Sequence, residues 1–160
     1  MQRVLILCVG KMKERFYIDA AAEYAKRLGR YCKLEIMELP EQRLPENPSQ
    51  AEIDRALAKE AEAIRTRLPP GAAAVAMCVE GKLRSSEELA RLLGDAARGG
   101  EKCLAFLIGG SFGLDEGLKK EVWARLSMSP MTFPHHLARV MLLEQIYRGF
   151  QINEGGKYHK

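Results

Sequence analysis

The chain has 160 residues, 47% hydrophobic and 29% charged, with a net charge of +4, which suits one globular domain around a sizeable core. No apolar run approaches the roughly 20 residues that a membrane span needs, so no membrane partner and a cytoplasmic location are expected. The mild positive charge permits a nucleic-acid partner without demanding one.

The four cysteines, Cys8, Cys32, Cys78 and Cys103, include no Cys-x-x-Cys pair and have no histidine at metal spacing. They read as reduced packing residues of an intracellular protein, and no metal site is expected. The acidic residues concentrate at 38–62 and 80–95. From Lys119 onward, Lys and Arg outnumber Asp and Glu by more than two to one, so the positive bias falls on the last third of the chain.

Residues 4–9 form a continuous apolar run ended by Gly10, as expected for a strand covered on both faces. The run lacks a small-residue cleavage site and passes straight into helical pattern, so it is a strand and not a signal peptide. A basic turn, Lys11 to Arg15, follows. Ile18, Ala21, Ala22, Ala25 and Leu28 then recur at helical spacing up to Gly29. A second strand spans 34–39 and stops at Pro40, and 41–48 is a polar loop.

Ser49 and Glu52 form a capping box that opens a helix with Ile53, Leu57, Ile64 and Leu68 inward. Pro69-Pro70-Gly71 ends it. A third strand covers 72–79, followed by Glu80-Gly81-Lys82. A second capping box, Ser85 to Glu88, starts a helix that stops at Gly99-Gly100, and 104–108 is a fourth strand. Strands alternating with helices in this way give a mostly parallel sheet with helices on both faces, in one domain covering 1–160.

Three stretches carry possible chemistry. Leu107-Ile-Gly-Gly-Ser-Phe-Gly-Leu114 places three glycines just after a strand, where a ligand can approach bare backbone. Asp115 then caps a short helix. Neither a Gly-x-Gly-x-x-Gly nor a Gly-x-x-x-x-Gly-Lys pattern occurs, so the usual dinucleotide and triphosphate cradles are unsupported.

Met128, Ser129, Pro130, Met131, Thr132 and Phe133 form the second stretch, alternating methionine and phenylalanine with hydroxyls directly before a helix that starts at Pro134. Such side chains suit an adenine face, and irregular backbone suits its edge.

The third stretch is the helix from Pro134. At about 100° per residue, Val140, Leu142, Leu143, Ile146, Tyr147 and Phe150 share one apolar arc, and Arg139 projects from its middle. A guanidinium there needs a partner: a carboxylate, helix-end carbonyls, a ligand or a nucleic-acid phosphate. Glu144 and Arg148 read as a structural i,i+4 pair. Leu137 and Met141 leave the opposite side apolar too, which points to burial against another subunit. The tail, 155–160, is a flexible end that offers an aromatic, an imidazole and two lysines to RNA.

Three segments together carry a resemblance: Phe106-Leu-Ile-Gly-Gly-Ser-Phe-Gly-Leu114, Leu126-Ser-Met-Ser-Pro-Met-Thr-Phe-Pro-His135 and Arg139-Val-Met-Leu-Leu-Glu-Gln-Ile-Tyr-Arg148. With Tyr158-His159, Ile6-Leu-Cys-Val-Gly-Lys-Met-Lys13 and Glu23-Tyr-Ala-Lys-Arg-Leu28, they cover essentially the whole chain. The chain closely resembles the small SPOUT-superfamily methyltransferases that modify N3 of a pseudouridine in large-subunit (23S) ribosomal RNA.

The resemblance implies an α/β fold with a C-terminal trefoil knot, with knot and cofactor site within about 103–155. It implies S-adenosyl-L-methionine as cofactor and a homodimer with the last helix at its interface. The RNA partner would be the large subunit or whole ribosome. Carried over position by position, the cofactor contacts fall at Met77, Gly109 and residues 128–133. Met77 stands where the family more often has leucine, a swap that keeps volume and apolarity.

Methyl transfer to N3 requires loss of its proton. His159 is the candidate acceptor, with Tyr158 and Arg139 orienting the base or its phosphate, from either subunit. Two other readings compete. A Rossmann methyltransferase acting on a small molecule predicts a glycine-rich loop after the first strand, but that turn is basic with a single glycine. A non-catalytic RNA-binding module explains the basic last third but not the Ser/Met/Pro loop.

Overall fold

The computed structural model describes residues 1–101 and 103–160. Five strands form one parallel sheet in the order β2-β1-β4-β3-β5: β1 is Gln2–Val9, β2 Cys32–Leu39, β3 Ala73–Leu83, β4 Leu104–Ile108 and β5 Ala124–Ser127. Five helices alternate with them: α1 Arg15–Leu28, α2 Gln50–Arg67, α3 Ser86–Arg98, α4 Glu116–Glu121 and α5 His135–Asn153. The expected parallel α/β sheet with helices on both faces is what the chain forms.

Strand side chains alternate between two cores. Val4, Ile6, Cys8, Val75, Phe106 and Ile108 face α1, α3 and α5 through Leu28, Leu89, Leu93, Leu142 and Ile146. Leu5, Leu7, Val9, Ala74, Ala76, Ala105 and Leu107 face α2 and α4 through Ala61, Ile64 and Leu118. Burial on both sides explains why β1 and β4 read as unbroken apolar runs. Both capping boxes are present, each serine accepting the third amide of its helix and each glutamate returning to the cap amide.

The third strand runs further than the apolar run that announces it. It continues to Leu83 after an irregular excursion, so that Met77 and Lys82 both register with Leu126. Gly81 allows this, because a Cβ there would stand 2.8 Å from the Leu126 backbone. Pro134 is the N-cap of α5 rather than its first turn, with ψ 138°. The strand order brings the C-terminal ends of β4, β3 and β5 side by side, and the loops leaving them enclose the main cavity.

Candidate functional site

That cavity holds about 650 Å³. One wall is the glycine turn after β4, another the end of β3 from Met77 to Glu80, and the third the loop 127–133 leading into α5. Met77, Gly109, Met128, Ser129, Met131, Thr132 and Phe133 all line it, while Pro130 sits at the exposed crest of the loop.

Each wall has a local cause. Gly109 packs so tightly on Gly113 that a Cβ would collide with its carbonyl, and Gly113 takes φ 79°, which closes the turn through a Gly110–Gly113 bridge. Glu41, in the loop after β2, accepts the Ser111 amide at 2.8 Å and ties the turn to the sheet edge. The Ser127 hydroxyl donates to the Ser129 carbonyl at 3.0 Å, and the Ser129 hydroxyl accepts the Met131 amide at 3.0 Å. The serines therefore brace an irregular loop that no helix or ladder supports.

The cavity is apolar on one side, with Ile108, Leu126, Met77, Met128 and Phe133, and charged at one end, where Lys119 pairs with Glu80 and, at 2.7 Å, with Glu116. The Lys119 hydrogen bond holds the Glu80 carboxyl below its ordinary range. His135 also lines the cavity. Burial and the neighbouring His136 push its imidazole toward the neutral form.

An adenine-bearing cofactor fits this arrangement. Apolar faces are available for a ring, glycines free of Cβ line the approach to backbone, and fixed charges stand at one end for polar groups. Among the described residues no group of three or more His, Cys, Asp or Glu is placed to hold a metal ion.

Arg139, Tyr158 and His159 lie outside the cavity wall. Arg139 is 4% exposed. Its guanidinium pairs with Glu38 at 2.8 Å and donates to the Gly10 carbonyl at 3.3 Å. The partner the helical wheel demands is thus a carboxylate of the same chain.

The tail, expected to be flexible, folds back on α5. The Tyr158 ring meets Tyr147 edge-on at 4.8 Å, and its hydroxyl donates to Glu144 at 3.1 Å. His159 Nε2 lies 2.8 Å from Glu87 at the start of α3. Arg148, which the helix pattern explains as a partner of Glu144, does more. It pairs with Glu144 at 2.6 Å, lies over the Tyr158 ring at 4.8 Å and reaches His159 Nδ1 at 3.1 Å. No signal in the sequence joins Arg148 to the tail, because the i,i+4 glutamate already accounts for its charge.

A second cavity of about 500 Å³ opens between α3 and α5, where Leu126, Ser127 and Met128 form a wall common to both cavities. Glu144, the tail's anchor, lines it.

Comparison with known proteins identifies the family. The sequence model of the family described as "Predicted SPOUT methyltransferase" matches residues 2–159. The chain is 46% identical over 158 residues to "Ribosomal RNA large subunit methyltransferase H" of Bifidobacterium adolescentis, covering 99% of each chain. It is 43% identical over 157 residues to the protein of the same name from Levilactobacillus brevis, covering 98% of this chain and 99% of that one. Among solved structures, a probable methylase family protein from Haemophilus influenzae Rd KW20 superposes with a TM-score of 0.55 at 15% identity. The match covers 99% of this chain and 71% of that one, a likeness of fold alone. With a family match over nearly its full length and relatives above 40% identity, the chain belongs to the SPOUT methyltransferase family.

Proposed function

We propose that this enzyme is an S-adenosyl-L-methionine-dependent methyltransferase that methylates N3 of a pseudouridine in 23S ribosomal RNA, on the large subunit or whole ribosome in the cytoplasm. The cavity carries the reading. Its glycine turn and serine-braced methionine loop suit an adenosyl group, and the relatives that match over the whole chain are named as ribosomal RNA large subunit methyltransferases.

The residues that would hold the cofactor are Met77, Gly109, Met128, Ser129, Met131, Thr132 and Phe133, with Pro130 keeping the loop rigid. The cofactor supplies an electrophilic methyl carbon on a sulfonium. The protein's part is to hold the nucleobase nitrogen in line with that carbon and to receive its proton.

Tyr158 and His159, with Arg148, are the groups that meet the nucleotide. Arg148 is a donor only, so His159 Nδ1 accepts from it and Nε2–H donates to Glu87. His159 takes a proton from the base after Nδ1 leaves Arg148, whose freed guanidinium is then available to a phosphate. Arg139, buried against Glu38, acts on the nucleotide through the turn it holds. Because the tail lies on the α3/α5 face, it serves the cavity of a second subunit in a homodimer that completes the burial of the partly buried Leu137, Val140 and Met141 of α5. The family's C-terminal knot, within about 103–155, gathers the loops that form the cavity.

Mass spectrometry of ribosomal RNA from cells with and without the gene tests the reading. One methyl on one pseudouridine of the large-subunit RNA disappears with the gene. An unchanged modification pattern, or no cofactor binding by calorimetry, sinks it, and the latter result favours a non-catalytic RNA-binding module.

A further inference from the structure

Arg139 is expensive to bury, and both of its paired nitrogens are committed to one short turn. Nη2 donates to the Gly10 carbonyl, and Nη1 donates to the Glu38 oxygen that also accepts the Met12 amide at 2.9 Å. The Met12 side chain is 6% exposed beneath the same turn. Gly10 itself takes φ 99°, a conformation that favours glycine. The turn between β1 and α1 is therefore held from below at Gly10 and Met12, on either side of Lys11.

What it holds outward is basic and aromatic. Lys11, Lys13 and Arg15 are exposed, and the Phe16 ring is 66% exposed, tilted against Tyr17 at 4.4 Å. The acidic neighbours are each engaged by another group. Glu38 is bound to Arg139, Glu14 lies 3.4 Å from His136, Asp19 is 3.3 Å from Arg15, and Glu41 accepts the Ser111 amide. Among the described residues neither Lys11 nor Lys13 has a carboxylate partner. The turn also borders the cavity. A Cβ on Gly10 would lie 3.5 Å from Nε2 of His135, a cavity residue, and 3.7 Å from Glu41.

We infer that the Lys11–Phe16 turn is a docking surface for the ribosomal RNA that carries the target base. Lys11 and Lys13 meet backbone phosphates, Phe16 stacks on an unpaired base, and Arg139 is the positioning residue that fixes the turn beside the cavity. This rests on the ribosomal RNA reading above. RNA is the occupant because unpaired ammonium groups and an exposed flat ring are combined beside a residue of the cavity wall, and phosphates and bases answer to both.

The test uses full-length enzyme, purified large subunits, and both methylation kinetics and binding across a salt series. Lys11→Gln/Lys13→Gln raises KM for subunits about tenfold, with kcat changed less than about twofold. Its plot of log affinity against log salt flattens by about 1.5, close to two lost phosphate contacts. Affinity for S-adenosyl-L-methionine by calorimetry stays at the wild-type value, and Lys59→Gln on α2 behaves as wild type. Phe16→Ala raises KM about fivefold with an unchanged salt slope, as loss of a stacked base would. Arg139→Leu raises KM although it removes no surface charge, and adding the lysine substitutions to it raises KM less than they do alone. If Arg139→Leu does not fold, the lysine and phenylalanine variants decide.

A wild-type KM and salt slope for the lysine variant overturn the docking surface while leaving the methyltransferase reading intact. Absence of methylation by the wild-type enzyme overturns the reading itself. Loss of binding to isolated ribosomal proteins, with RNA binding kept, replaces RNA by an acidic protein partner and also overturns the proposal.

Discussion

Arg148 and His159 face each other at 3.1 Å, a cation of α5 holding the last imidazole of the chain. The contact makes the tail part of the folded surface, and it predicts that the tail can be disabled without disabling the cofactor cavity. Arg148→Ala, His159→Ala and a chain ending at Gly156 each lower methylation of ribosomes by about a hundredfold or more, the scale of a lost acid–base or orienting group. Calorimetry with S-adenosyl-L-methionine gives wild-type affinity for all three. Arg148→Lys keeps the charge but not the planar fork that spans Glu144 and His159, and it recovers only part of the rate. Full activity in the truncated chain removes the tail from the mechanism.

The Arg139–Glu38 pair sets a pH dependence of stability. Burial raises the Glu38 carboxyl, but the Met12 amide and the Arg139 guanidinium outweigh it, and the net position lies below the ordinary value of 4.5. A carboxyl lowered in the folded state adds stability above its unfolded value, and that stability is lost as pH falls through the folded one. By chemical denaturation, the stability of wild type therefore falls as pH drops below about 4.5. Arg139→Leu, less stable by about 2–4 kcal/mol at neutral pH, shows a shallower decline over the same window. An equal slope in both proteins assigns the acid sensitivity to other carboxylates.

Close backbone approach predicts a second kind of loss. Gly81→Ala sets a Cβ 2.8 Å from the Leu126 backbone, where β5 hands over to the methionine loop. No flexible side chain is available to yield, so β5 moves away from β3, at a cost of about 2–3 kcal/mol. Met128 follows, and cofactor affinity falls about tenfold or more with it, since this shift displaces a cavity wall. Thermal melting and calorimetry read the two effects, and a stable variant with unchanged affinity shows that the strand absorbs the strain without passing it to the loop.

How much of this was legible in the sequence depended on how local each cause was. The fourth strand matches its apolar run, residues 104–108, because all five residues are buried on both faces. Both helix starts were readable because a capping box closes within four residues. The excursion in β3 was not readable, since its cause is a glycine meeting a strand more than forty residues later. Arg139 was recognisable as a residue needing a partner, but Glu38 lies 101 positions away, and nothing in a helical wheel selects it. The tail misled in the opposite direction. Gly155 and Gly156 suggest fraying, while Tyr147, Glu144 and Glu87, on two separate helices, hold Tyr158 and His159 in place. The glycine turn and the methionine loop are legible as separate candidate ligand loops, because each occupies one short stretch.

The proposal that the tail serves the partner's cavity has a test that no single variant supplies. His159→Ala removes the tail group and keeps the cavity. Gly109→Ala drives a Cβ into the Gly113 backbone, which deforms the cavity and keeps the tail. Each homodimer is inactive on ribosomes. Random pairing of equal amounts makes half of the dimers mixed, and in each mixed dimer the intact tail of one subunit meets the intact cavity of the other. Total activity therefore returns to about a quarter of wild type. If tail and cavity act within one subunit, every site in every dimer carries one defect and the mixture stays inactive. Co-expression followed by tandem affinity purification isolates the mixed dimer, in which one working site gives about half the wild-type rate.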